Sequence, residues 1–318
     1  MNIKKIGLTA LAASLVSVSA YAGEMSVAGG ASVTIKNNSG TDGGKSITMG
    51  NQLTFSGGGE LDNGLNVALS FVLDHADNVA SGFDSHSITV SSDSLGSITV
   101  AGDGTGNAQS ALDTTAAGDI WDNGFTYTGA NTAYTAMGGS DANNNKSINY
   151  TLPTIMDDLS VAVSYSGQTT ATNSTTAFGA TYTGVEGLSV SYGVGEAGST
   201  TATAAADVTT MKASYAIGSF TAAVSNTEND LTGTGTDEEM SSWKLSYTVS
   251  DDLSVSYGEE THETSGESVD EEFDAISVSY TTGGMTITAA QYNATGLGNT
   301  AGAANDAERW KLSTSFAF

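Results

Sequence analysis

The stretch WKLSYTVSDDLSVSYG, residues 243–258, reads as two strands joined by a turn. Trp243, Leu245, Tyr247 and Val249 alternate with Lys244, Ser246, Thr248 and Ser250. After Asp251 and Asp252, Leu253, Val255 and Tyr257 alternate with Ser254 and Ser256. A period of two sends successive side chains to opposite faces of an extended backbone, so this is a hairpin with one apolar and one polar face. Leu159, Val161, Val163 and Tyr165 repeat the pattern, as do Leu188, Val190 and Tyr192. Helical periodicity is absent over most of the chain.

The hairpin is one copy of a repeat. Tyr150, Tyr182, Tyr215, Tyr247 and Tyr280 stand 32, 33, 32 and 33 residues apart, each near the end of a strand and just before a turn. Such a period also fits solenoids and propeller blades, so connection lengths have to decide. Sixteen strands are expected, at about 25–35, 46–56, 65–75, 85–92, 96–102, 146–153, 158–166, 175–183, 187–195, 207–217, 219–226, 240–249, 252–260, 272–281, 285–293 and 308–318. The connection after each even strand is short, as at Gly218 or Ser250-Asp251; the one after each odd strand is usually longer and richer in Asn, Asp, Glu, Gly and Thr. Short turns at one end and long loops at the other belong to a transmembrane barrel.

A soluble sandwich also alternates, but it needs a dense second layer of bulky groups that this chain does not supply. A barrel in lipid needs none, because its apolar face meets acyl chains and its other face meets water. Phe55, Phe220 and the five repeated tyrosines lie near the short turns, as an interfacial girdle would. In the last strand Trp310, Leu312, Phe316 and Phe318 share one face, and Arg309, Lys311, Ser313 and Ser315 the other. Pairing of strands 16 and 1 would close the sheet and remove its edges.

Composition narrows function. The 318 residues include 35 acidic and 9 basic side chains, a net charge of −26, and no Cys. An excess of this sign excludes nucleic acid as a partner and excludes charge-driven binding to anionic lipid. The lack of Cys excludes disulfides and thiolate metal sites. Residues 1–22 read as a signal peptide: Lys4 and Lys5, a short apolar stretch, then Ala20-Tyr21-Ala22 as the cleavage pattern. The remaining 23–318 form one barrel domain, in which no apolar run reaches the ~20 residues of a membrane helix.

Together, the leader, Ser94-Leu95-Gly96-Ser97-Ile98-Thr99-Val100 ahead of a long third loop, Lys146-Ser147-Ile148-Asn149-Tyr150 after it, and terminal Phe318 make the chain resemble the Gram-negative general porins, a trimeric, 16-stranded family. The resemblance spans the whole mature chain, which departs in its scarcity of Arg and its acidic excess. It implies an all-β, 16-stranded antiparallel transmembrane barrel in the outer membrane, a homotrimer, with the third loop folded inward. It also implies that Phe318 is part of the signal read by the outer-membrane assembly machinery.

The third loop, from about Asp103 to Asn145, carries Asp103, Asp113, Asp119 and Asp122 as candidate constriction carboxylates. Parity turns Lys36, Lys212, Lys244, Arg309 and Lys311 toward the lumen or its rim; Lys45 falls in the first loop. A sparse basic wall and an acidic loop predict passive diffusion of small hydrophilic solutes with a preference for cations. Neither a catalytic step nor a cofactor is expected. His75 and His86 flank an external loop and His262 falls in an acidic one, none with metal or nucleophile spacing, and Lys45-Ser46 opens a strand where a phosphate loop needs a helix. Acidic residues crowd the sixth loop (Glu228, Asp230, Asp237, Glu238, Glu239) and the seventh (Glu259, Glu260, Glu263, Glu267, Asp270, Glu271, Glu272), where Ca²⁺ or Mg²⁺ could bind, although a solvated charge run is the plainer reading. Two other readings share these features: a secreted or surface-anchored acidic β-repeat adhesin, and a substrate-specific channel of similar architecture.

Overall fold

The structure, a computed structural model, describes residues 25–37, 44–74, 85–103, 106–112, 114–125, 147–167, 174–197, 206–231 and 236–318. The expected leader, His75 and Asp113 lie outside the described residues.

Sixteen strands follow one another: β1 (Met25–Asn37), β2 (Lys45–Glu60), β3 (Asn66–Asp74), β4 (Ser85–Ser92), β5 (Gly96–Asp103), β6 (Ser147–Thr151), β7 (Leu159–Ser166), β8 (Thr175–Val185), β9 (Leu188–Ala197), β10 (Ala206–Ile217), β11 (Phe220–Leu231), β12 (Glu238–Ser250), β13 (Leu253–Thr264), β14 (Glu271–Thr282), β15 (Met285–Thr295) and β16 (Ala307–Ala317). Each pairs with its sequence neighbours, and β16 pairs antiparallel with β1, so the sheet closes. Gly29 and Phe318 exchange two backbone hydrogen bonds of 2.8 and 2.9 Å at the seam. A solenoid or adhesin repeat would leave two open edges; this sheet has none.

Two-residue turns join β10 to β11 and β14 to β15. Each begins at a glycine with φ 57°, Gly218 and Gly283, a backbone region that β-carbons disfavour.

Register keeps the two faces apart all the way round. Starting from Lys36, the same-face partners run through Ser46, Gln52, Asp74 and onward, and return through Ala290 and Lys311 to Lys36. The opposite face exposes Ile47, Ile88, Ile98, Ile148, Val163, Val190, Met211, Val224, Leu245, Ile276 and Leu312, an apolar band to which nearly every strand contributes. Tyr215, Phe220, Tyr247 and Tyr280 are exposed near the short turns, and the Phe220 and Tyr247 rings lie 4.7 Å apart. Such a band with an aromatic edge is the outer surface of a barrel in lipid.

Three expectations need correction. Lys45 is the first residue of β2, not a loop residue, and its ammonium lies 5.9 Å from the Trp310 ring centroid. The strands β11 to β14 extend further toward the long loops than alternation suggested. Glu228, Asp230, Glu238, Glu239, Glu259, Glu260, Glu263, Glu271 and Glu272 therefore lie on strands. His262 is likewise a buried strand residue of β13, not part of an acidic loop. The cause is common to all: strand pairing is carried by the backbone, so a ladder can continue through residues of poor strand propensity.

Candidate functional site

The third connection, between β5 and β6, folds inside the barrel. Its described part, 106–112 and 114–125, is attached successively to the lumen face of β7 through β16 by lumen-facing side chains. On β7 the Ser164 hydroxyl accepts a hydrogen bond from the Ala108 amide (2.9 Å). Gln109, wholly buried, donates from Nε2 to Thr210 of β10 (2.9 Å). Ser225 of β11 accepts from the Ala116 amide (2.8 Å), and Ser242 of β12 from the Ala117 amide (3.3 Å). Adjacent hydroxyls pair across strands, Thr210 with Thr227 at 3.0 Å and Ser225 with Ser242 at 2.8 Å. These seats satisfy loop amides that would otherwise be buried without partners.

Glu260 of β13 is the strongest seat. At 1% exposure its carboxylate accepts from the Thr115 hydroxyl and from the Trp121 amide (3.1 Å). Beyond it a short helix, α1 (Ile120–Gly124), leads to Phe125, which packs on Phe273 and Tyr292. Trp121 meets His262 edge-on, ring centroids 6.0 Å apart. Glycines let the loop lie close to the wall. A β-carbon at Gly179 would collide with the Ala108 carbonyl, and one at Gly258 would stand 3.2 Å from the Ala117 β-carbon and 2.8 Å from the Trp243 carbonyl oxygen.

The candidate charged residues are placed as follows. Asp119 precedes α1 with φ 52°, and its carboxylate accepts from the Thr115 amide (2.9 Å). Burial pushes its carboxyl above the usual range, opposed by the Thr115 hydrogen bonds and the attraction of Lys212. Asp122 is exposed on α1, and Asp103 is the last residue of β5. Lys212 of β10 donates to the Thr114 carbonyl at 2.5 Å. Arg309 of β16 donates to the Gly124 carbonyl at 3.1 Å, its guanidinium 5.1 Å from the Phe125 ring centroid. Lys311 of β16 reaches the Asn123 side-chain oxygen at 3.5 Å, and Lys36 of β1 is its cross-strand partner. Lys244 of β12 faces the loop near Gly118. Phe318 is 71% exposed at the seam.

Sequence reasoning placed Glu260 in an acidic external loop and did not single out Gln109, Ser164, Ser225 or Ser242. Parity puts the wall residues of this set on the lumen face, but their partners come from a loop some 50 to 145 positions away. No local pattern reports such a pairing. Among the described residues, no three His, Asp or Glu side chains converge as metal ligands would.

Across the lumen from the part of the loop seated on β7–β16 stands the wall of β1–β6, which the loop also touches where Asn149 of β6 donates to the Gly106 carbonyl at 3.2 Å. Register gives that wall Ser, Thr, Asn and Gln on its lumen face, with Glu60 and Asp74 as acids and Lys36 as its one base among the described residues.

Residues 7–318 match the family model of the Gram-negative porins. No curated protein matches the sequence. Solved structures do. The anion-selective porin from Comamonas acidovorans is similar at TM-score 0.68 and 15% identity, covering 92% of this chain and 99% of that one. The trimer form of OmpT from Vibrio cholerae gives 0.66 and 16%, covering 93% and 100%. A Rh. blastica porin mutant gives 0.64 and 14%, covering 92% and 100%.

Proposed function

The chain belongs to the Gram-negative porin family, a multi-pass barrel of the outer membrane, and on that premise we propose a channel rather than an enzyme, one for passive diffusion of small hydrophilic solutes and ions with a preference for cations. The observation that carries the proposal is the described part of the third loop seated across β7–β16 inside the barrel, which narrows the lumen. Asp103 at the end of β5 and Asp113, Asp119 and Asp122 of the loop supply negative charge, and Lys36, Lys212, Lys244, Arg309 and Lys311 are the lumen bases that oppose it. Two of those bases donate to loop carbonyls, which ties their charge to backbone. With 35 acidic residues against 9 basic in the whole chain, the lumen field favours cations. The anion-selective Comamonas porin has a similar fold, so selectivity is set by charge placement and not by the barrel.

Residues 1–22 act as the export signal, and Phe318 as part of the signal for the assembly machinery that delivers the barrel to outer-membrane lipid. The trimeric Vibrio cholerae OmpT supports assembly as a homotrimer. Planar-bilayer recording in a KCl gradient is the test. The expected reversal potential has the sign of K⁺ preference, and a Cl⁻-preferring sign would overturn the selectivity.

A further inference from the structure

Beneath the third loop, between α1 and the wall of β12–β16, lies a cavity of about 310 Å³ whose charged lining residues, among the described residues, are Lys244 and Lys311. Among the described residues no carboxylate lines it, in a chain with almost four acids for every base. Among the described residues neither lysine has a carboxylate within ion-pair distance, although Asp122 of α1 attracts Lys311 from further off.

The two lysines stand at opposite ends of the recess. Lys244 lies on β12 and Lys311 on β16, four strand steps apart, about 19 Å around the wall at ~4.8 Å per strand. Between them the lumen face is kept low by small residues, Gly258 and Ala275 in one row and Ala290 in the next. Ser277, Thr288 and Ser313 add hydroxyls to the floor. The loop forms the roof, where Asn123 donates to the Gly118 carbonyl at 2.8 Å. Lys244 lies beside Gly118 and Lys311 beside Asn123, so the ammonium groups flank that bridge.

We propose that this recess is a binding site for a small hydroxylated carboxylate, such as a sugar acid. One ammonium group takes the carboxylate, the other donates to the hydroxyls at the far end of the ligand, and the hydroxyl floor hydrogen-bonds the rest. The volume lies at the small end of ligand pockets, which fits a molecule of this size and excludes larger ones. The site rests on the channel reading for its biological use, since a solute would reach it through the lumen, but binding itself is independent of conduction.

The test is ligand-observed NMR titration of detergent-purified, heat-modifiable protein with gluconate, and with glucose as the neutral counterpart. Saturable gluconate binding is expected, at least tenfold tighter than glucose. Lys244→Gln and Lys311→Gln should each weaken it at least tenfold. Ala275→Leu, which fills the recess and leaves every charge in place, should weaken it similarly. Absent or non-saturable gluconate binding to the unaltered protein overturns the site, as does binding unchanged by Ala275→Leu and either lysine variant. KCl conductance of the same preparation is read separately: its absence refutes the channel, and its presence without gluconate binding refutes the site alone.

Discussion

Glu260 shows how much one side chain contributes to the constriction. Replacing it with Ala strands the Trp121 amide and the Thr115 hydroxyl in a buried place, a cost of ~1–3 kcal/mol for unsatisfied polar groups. The strand ladders on either side stay intact, so Glu260→Ala should leave a heat-modifiable barrel and loosen the loop. Single-channel records should show larger current fluctuations than the unaltered protein, and quiet records of unchanged conductance would refute the anchoring role. Asp119 supplies a pH handle. Its folded carboxyl is raised by burial, so it takes up a proton at higher pH than an ordinary Asp near ~3.9. On acidification the loop therefore loses this negative charge first. Cation preference should begin to fall above the ordinary carboxylate range and fall less in Asp119→Asn, as followed by reversal potentials across a pH series. These two residues were not equally legible. Asp119 was visible as a carboxylate in a long loop. Glu260 was read as part of an acidic loop, although it shares parity with Ser256 and Gly258 on the lumen face of β13.

At the scale of the element, parity is what the sequence conveys best. On β12, Lys244 turns to the lumen while Leu245 is 46% exposed on the outer band. A lysine at a lipid-facing position near the midplane costs ~2–4 kcal/mol, while one in the lumen is solvated. Leu245→Lys should thus lower the yield of folded, heat-modifiable protein, and Ser246→Lys, one residue on, should spare it. Equal yields on semi-native gels would invalidate the assigned faces. All sixteen strands were legible from alternation because each must be apolar toward lipid and polar toward water over its spanning length. Beyond that length the rule lapses. Toward the long loops β11–β14 present acids and Asn on both faces, as Glu228 and Asn229 do on β11. The sequence loses its period there although the hydrogen-bond ladder goes on. The seating of the third loop was illegible for a related reason, since serines such as Ser164 and Ser242 look alike whether they meet water or a loop amide.

For the whole molecule, a closed barrel separates charge in open water from charge in a narrow passage, and that separation makes selectivity local. Asp122 sits exposed on α1 within the lumen, and Asp270 in the loop between β13 and β14 at the outer rim. Each carries one carboxylate, and Asn is nearly isosteric with Asp. Removing the charge at Asp122 changes the potential where every permeating ion must pass, between low-dielectric walls that focus the field. Removing it at Asp270 changes the potential in bulk electrolyte, where screening acts over ~10 Å at 0.1 M salt and ~3 Å at 1 M. Asp122→Asn should therefore shift the reversal potential in a KCl gradient toward anions, most strongly in dilute salt. Asp270→Asn should shift it much less, and in concentrated salt scarcely at all. A shift at Asp270 as large as that at Asp122 would mean that the outer rim selects ions and the seated loop does not.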